Sequence, residues 1–152
     1  MMNRSVKLKS NFMKKIFIAF VLFLGLASLA SAQDADRLLG TYYTEGQGGK
    51  VVIAKDGEKY KGTLVWTKTV GMKDTKNPVE SERDKVVAGK VILKDFVYSG
   101  NDVWEKGTIY DPESGKTYSC KITLMSDGRL KVRGFIGVSA IGRTSFWTPV
   151  KE

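Results

Sequence analysis

The chain has no histidine, and that absence excludes more chemistry than any motif adds. Without an imidazole there is no Ser-His-Asp or Cys-His nucleophile and no His-ligated metal. Cysteine is almost as scarce. Cys120 stands alone, so no disulfide can close within the chain, and burial and sheet hydrogen bonding must hold the fold. The apolar run Ile16 to Leu24 falls well short of the ~20 residues of a membrane span. Past residue 32 there is no Lys/Arg cluster interleaved with aromatics, so no nucleic-acid partner is expected.

That short apolar run has the layout of a secretory signal. Met13-Lys14-Lys15 supplies the basic start, Ile16–Leu24 the middle, and Ala30-Ser31-Ala32 the small-residue exit just before Gln33. Residues 1–32 are expected to be removed, leaving residues 33–152 as one folded domain. Met13 is a sufficient start by itself, so residues 1–12 stay outside the fold argument. No cysteine lies near the cut, which excludes a lipid-anchored start. The mature protein is expected to be exported, periplasmic or extracellular, with no membrane span after cleavage. Its charge also changes. Five of 25 basic residues and none of 16 acidic ones precede Gln33, which leaves 20 against 16, or +4 over 120 residues. Much of the apparent basicity is targeting information, and the remaining charges mostly alternate in sign, as on a solvated surface.

The mature chain reads as all-β. Turn signals recur at Gly46-Gln47-Gly48-Gly49, Asp56-Gly57, Ser99-Gly100-Asn101-Asp102, Asp111-Pro112-Glu113-Ser114-Gly115 and Asp127-Gly128. Asp-Gly between extended segments is a strong hairpin signal, because such turns need φ > 0. Between them, Tyr118, Cys120, Ile122 and Leu124 alternate with polar residues, as do Tyr60, Gly62, Leu64 and Trp66. About eight strands result, near 40–44, 50–55, 59–67, 89–97, 103–111, 116–125, 129–136 and 142–149. Helical periodicity is absent. Eight strands joined mostly by short turns predict an eight-stranded antiparallel up-and-down barrel, which leaves no exposed edges. The connection 68–88 is long and charged, where a lid or site-forming segment would sit.

A resemblance rests on Gly40-Thr41-Tyr42, Asp74-x-x-Asn77-Pro78, Gly107-Thr108-Ile109-Tyr110-Asp111-Pro112, Gly115-Lys116-Thr117-Tyr118, Leu130-Lys131-Val132-Arg133-Gly134 and Gly142-Arg143-Thr144 with Trp147. In that order these motifs resemble the bacterial domain-of-unknown-function family numbered 2147, whose members are small exported proteins. Members usually carry Trp where Tyr42 stands. The resemblance implies a lipocalin-like (calycin) barrel and adds no activity. It marks Tyr42, Asp74, Asn77, Asp111, Gly115, Arg133 and Gly134 as structural motif positions.

Arg143 has two readings. As in lipocalin-like barrels, it would close one end by stacking on an early aromatic, here Tyr42, a cation–π contact worth ~1–2 kcal/mol when desolvated. Alternatively it grips a ligand carboxylate or phosphate. The stack is preferred, because it satisfies the guanidinium without a ligand. Asp111 reads as a turn residue with Gly115 at φ > 0. Asp74, Asn77, Glu80, Glu82 and Asp84 crowd the long loop, but their spacing is not that of a calcium loop and lysines intervene. No metal or cofactor is expected. Cys120 reads as a small buried hydrophobe. The candidate ligand-binding residues are Trp66, Trp104, Tyr118, Arg143 and Trp147, inward-facing by alternation or by default. The function expected is non-enzymatic binding of a small amphipathic or apolar ligand. The alternatives are a carboxylate/Tyr enzyme using Asp74, Asp111 and Tyr118, or a ligand-free envelope adaptor.

Overall fold

The computed structural model describes residues 34–151, and the expected signal segment 1–32 with its cleavage point lies outside them. Eight strands follow one another: β1 Gly40–Tyr43, β2 Gly49–Asp56, β3 Lys59–Thr67, β4 Val91–Gly100, β5 Val103–Asp111, β6 Lys116–Leu124, β7 Leu130–Phe135 and β8 Gly142–Pro149. Each pairs antiparallel with its neighbours in chain order, and β8 returns to β1 through Tyr42↔Pro149 and Tyr43↔Thr148. The barrel is closed, as turn spacing and alternation predict.

Strict alternation fails in two strands, and the failures decide which aromatics face inward. Along β3 the pairing passes from Val51↔Leu64 to Lys50↔Trp66, so Val65 and Trp66 together oppose one residue. This bulge turns Trp66 outward, where it is 40% exposed, and gives its inward place to the buried Thr67. On β5 the register slips between Trp104 and Gly107, with Lys106 at φ 63°. Trp104 therefore faces the interior three residues before Gly107 rather than two. Phe96 fills the space at Gly107, where an added Cβ would lie 2.5 Å from its ring.

The two ends differ. The β2–β3, β4–β5 and β6–β7 turns form one end, and its interior is solid. Trp104 is fully buried there, edge-on to Tyr60 at 6.5 Å and tilted against Tyr98 at 5.0 Å. Phe96, Ile122 and Leu130 complete the filling. Leu38, just before β1, is buried too, and its carbonyl accepts a hydrogen bond from the Tyr42 hydroxyl at 3.3 Å. The other end carries the β1–β2, β3–β4, β5–β6 and β7–β8 connections. Its longest, 68–90, is a packed collar rather than a loose lid. Lys73 bridges Val86, the Val87 amide donates to the Met72 carbonyl at 2.9 Å, and Val87 is fully buried.

Candidate functional site

Inside the second end lies a cavity of about 590 Å³. Its walls are apolar: Leu64 from β3, Met72 and Val87 from the collar, Ile92 from β4, Ile109 from β5 and Val132 from β7. Trp147 of β8 also lines it, almost fully buried, with its indole N–H donating to the Ser145 hydroxyl at 3.0 Å. Polar groups gather nearer the mouth, at Arg143 and Tyr118, with Ser145 below them on β8.

Of the five expected ligand-binding residues, the structure brings Tyr118, Arg143 and Trp147 to the cavity. Trp66 is excluded by the β3 bulge; its ring lies outside, 5.5 Å from the Lys50 ammonium, which also sits 5.0 Å from the Tyr43 ring. Trp104 belongs to the solid end and does not line the cavity. The sequence did not distinguish the apolar walls, because Ile92, Ile109 and Val132 look like any core aliphatic.

The expected stack of Arg143 on Tyr42 is wrong. Tyr42 pairs with Pro149 at one end of β8, whereas Arg143 pairs with Gly134 at the other. At about 3.3 Å per residue, six strand positions separate the two ends by some 20 Å. Tyr42 is buried and bonded to Leu38 instead, and burial raises its phenol above the ordinary value.

The motif positions have local roles. Asp111 accepts the Glu113 amide at 3.0 Å and the Ser114 hydroxyl at 2.7 Å, which builds the β5–β6 turn. Gly115 sits at φ 71°, and an added Cβ would lie 1.8 Å from the Lys76 carbonyl oxygen. The turn and the collar are thus pressed backbone to backbone. Arg133 holds the β7–β8 loop from outside, donating to the Ser139 and Ala140 carbonyls at 2.6 and 3.1 Å and to the Thr144 hydroxyl at 2.8 Å. Gly134 leaves a gap in the inner wall beside Ile109 and Tyr118.

Asp74 anchors the collar. Its carboxylate is fully buried and accepts from Lys90 at 2.6 Å, Tyr110 at 2.6 Å and Asn77 at 2.6 Å. Burial alone would raise its carboxyl. The three hydrogen bonds and the Lys90 charge overcome that and hold it below the ordinary carboxylate range. Tyr110, desolvated and bonded to this carboxylate, is pushed up to about 12. Lys90 and Tyr110 are partners the sequence reading missed; the signal available was that a buried carboxylate needs donors. Two other acidic loop residues are also engaged, Asp84 by Lys73 and Glu82 by Lys85 and Lys90. Among the described residues no three acidic or sulfur side chains gather as metal ligands.

Of the proposed catalytic set, Asp111 and Tyr118 both line the cavity and share Ser114, at 2.7 and 3.4 Å, whereas Asp74 lies apart, bonded to Tyr110. Burial pushes the Cys120 thiol up to about 12, so it stays a protonated core residue.

Comparison with known proteins supports the architecture. A solved structure described as "Protein HP1028 from the human pathogen Helicobacter pylori belongs to the lipocalin family" is similar, with TM-score 0.69 and 23% identity over 76% of this chain and 84% of that one. That likeness concerns the fold. No curated protein matches the chain. A family model described as "Uncharacterized protein conserved in bacteria (DUF2147)" matches residues 40–149, from the first residue of β1 to the last of β8. With its motifs in order on one closed barrel, the chain belongs to this family of uncharacterised bacterial proteins.

Proposed function

We propose that this is an exported, non-enzymatic binding protein that holds a small amphipathic or apolar ligand inside the barrel. One observation carries the reading. The interior is solid at one end and hollow at the other, and the hollow end holds about 590 Å³ walled by aliphatic side chains. Ligand sites typically occupy ~300–1,000 Å³ with mostly apolar walls and a few polar groups that fix orientation. An adaptor domain without a ligand has no use for such a hollow. Filling it would stabilise the fold, since empty apolar volume costs on the order of 24 cal/mol per Å³.

Native mass spectrometry of protein purified from its own host tests the binding. A reproducible co-purifying mass, lost on mild denaturation, is the expected result. Repeated preparations that are empty and show no thermal stabilisation by any amphiphile would overturn it. The same spectra test export, because the mature chain should begin at Gln33. A chain that retains residues 13–32 in the exported fraction would count against that part of the proposal.

A further inference from the structure

We propose that the ligand is a single-chain amphiphile with a singly charged anionic headgroup, and that Arg143 selects it. This rests on the binding reading above.

The other arginines among the described residues are occupied. Arg37 pairs with Asp102, Arg83 donates to the Asn77 carbonyl, Arg129 pairs with Asp127, and Arg133 holds the β7–β8 loop. Among the described arginines the Arg143 side chain alone has no hydrogen bond or ion pair, and it is the one that lines the cavity. Strand alternation puts it there. Arg143, Ser145 and Trp147 share the inner face of β8, while Phe146 on the outer face lies under Arg129 and Thr144 accepts from Arg133. The neighbour of Arg143 on β7 is Gly134, so no side chain fills the wall beside it. A Cβ at Gly134 would lie 3.7 Å from Tyr118 Cβ, which makes the Tyr118 side chain the far border of that gap. Its hydroxyl has only the long 3.4 Å contact to Ser114, and is available as a second donor.

Polar demand is confined to this level. Two residues further in along β8 the Ser145 hydroxyl accepts from the Trp147 indole, and the walls there are Val132, Leu64 and the Trp147 ring. A guanidinium with a phenol above an apolar well matches a charged oxygen headgroup on a hydrocarbon chain. The other charged lining residues limit the headgroup's charge. Asp111 is used within its own turn, and Glu45 and Glu113 sit in the β1–β2 and β5–β6 turns around the mouth. These acids repel negative charge, so a headgroup with one charge, such as a carboxylate, is opposed less than a multiply charged one.

The test compares dodecanoate, dodecanol and dodecylamine, each below its solubility or micelle limit, by calorimetry on the mature protein. Dodecanoate should bind roughly ten- to a hundredfold tighter than dodecanol, the effect of one hydrogen bond to a charged group, and dodecylamine weakest. Arg143→Gln should bring dodecanoate binding down to about the level of dodecanol binding by the same variant. The ligand-free melting temperature of that variant should not move, because nothing in the fold is bonded to this side chain. Tyr118→Phe should reduce the advantage by a smaller factor. Equal binding of dodecanol and dodecanoate, or an advantage that survives Arg143→Gln, overturns the headgroup assignment while the binding reading stands. Failure of all three probes overturns both.

Discussion

The two ends of this barrel are made from the same strands and do opposite things with them. At one end Tyr60, Phe96, Trp104, Ile122 and Leu130 fill the interior. At the other, a comparable set of aliphatic residues lines a hollow, and apolar side chains even project into solvent: Val70 is 94% exposed, Ile136 and Ile141 69%. The difference comes from side-chain size on a common pattern. Large rings meet across the lumen at the solid end, whereas Gly134 and medium aliphatics leave it open at the other. Stability is concentrated where the rings are, and the hollow end is held by its rim, through the Asp74 cluster, the Gly115 contact and the Arg133 bonds.

The largest effect should therefore come from the solid end. Trp104→Ala should cost about 3–5 kcal/mol in denaturant unfolding. A loss below 2 kcal/mol would mean that the solid end does not carry the fold. Gly115→Val asks whether the rim is as unforgiving as the core. It combines φ 71° with a clash against the Lys76 carbonyl, and should cost roughly 3 kcal/mol. Asp111→Ala in the same turn removes two local hydrogen bonds and should cost about 1 kcal/mol.

Asp74→Asn sharpens the comparison through pH. The folded Asp74 carboxyl titrates below its ordinary 3.8, so the unfolded chain takes up the proton first as pH falls. Its contribution is complete above that ordinary value and fades as pH drops through the lower folded one. Asn should cost about 2 kcal/mol at neutral pH and flatten the acid limb. Glu82, Asp95 and Asp127, also held low, keep part of the slope. An unchanged acid limb in the variant would remove Asp74 as the rim's anchor. The smallest effect is expected at the exposed mouth, where Ile141→Ser should move stability by less than about 0.5 kcal/mol. A larger loss would mean that the tip is packed after all.

Much of this was legible in the sequence, and the failures have separate causes. Glycine-marked turns and alternating strands specify a closed barrel, since both signals are local. The bulges in β3 and β5 are not local: they depend on how many residues the partner strand offers, and one extra residue reverses a side chain's face. For that reason Trp66 was misassigned to the interior. Arg143 failed differently. Its inward phase was legible, but its partner was borrowed from lipocalin-like barrels, and the stagger of β8 against β1 separates it from Tyr42. Whether a lumen is hollow depends on the summed volumes of residues far apart in the chain, which no short motif reports.

The buried Asp74 also works as a check on alignment. Its donors come from three places, Asn77 in the collar, Lys90 at the entrance to β4 and Tyr110 near the end of β5. The sheet is least regular just there: β3–β4 pairing shifts twice, and a 23-residue connection does little to set the register. If β4 slid by one residue against β5, backbone pairing could still form, but Lys90 and Tyr110 would no longer meet the same carboxylate. A buried, unpartnered charge costs several kcal/mol, enough to depopulate the slipped barrel at least a hundredfold. One acidic residue in a loop thus rejects decoy alignments of strands it does not belong to.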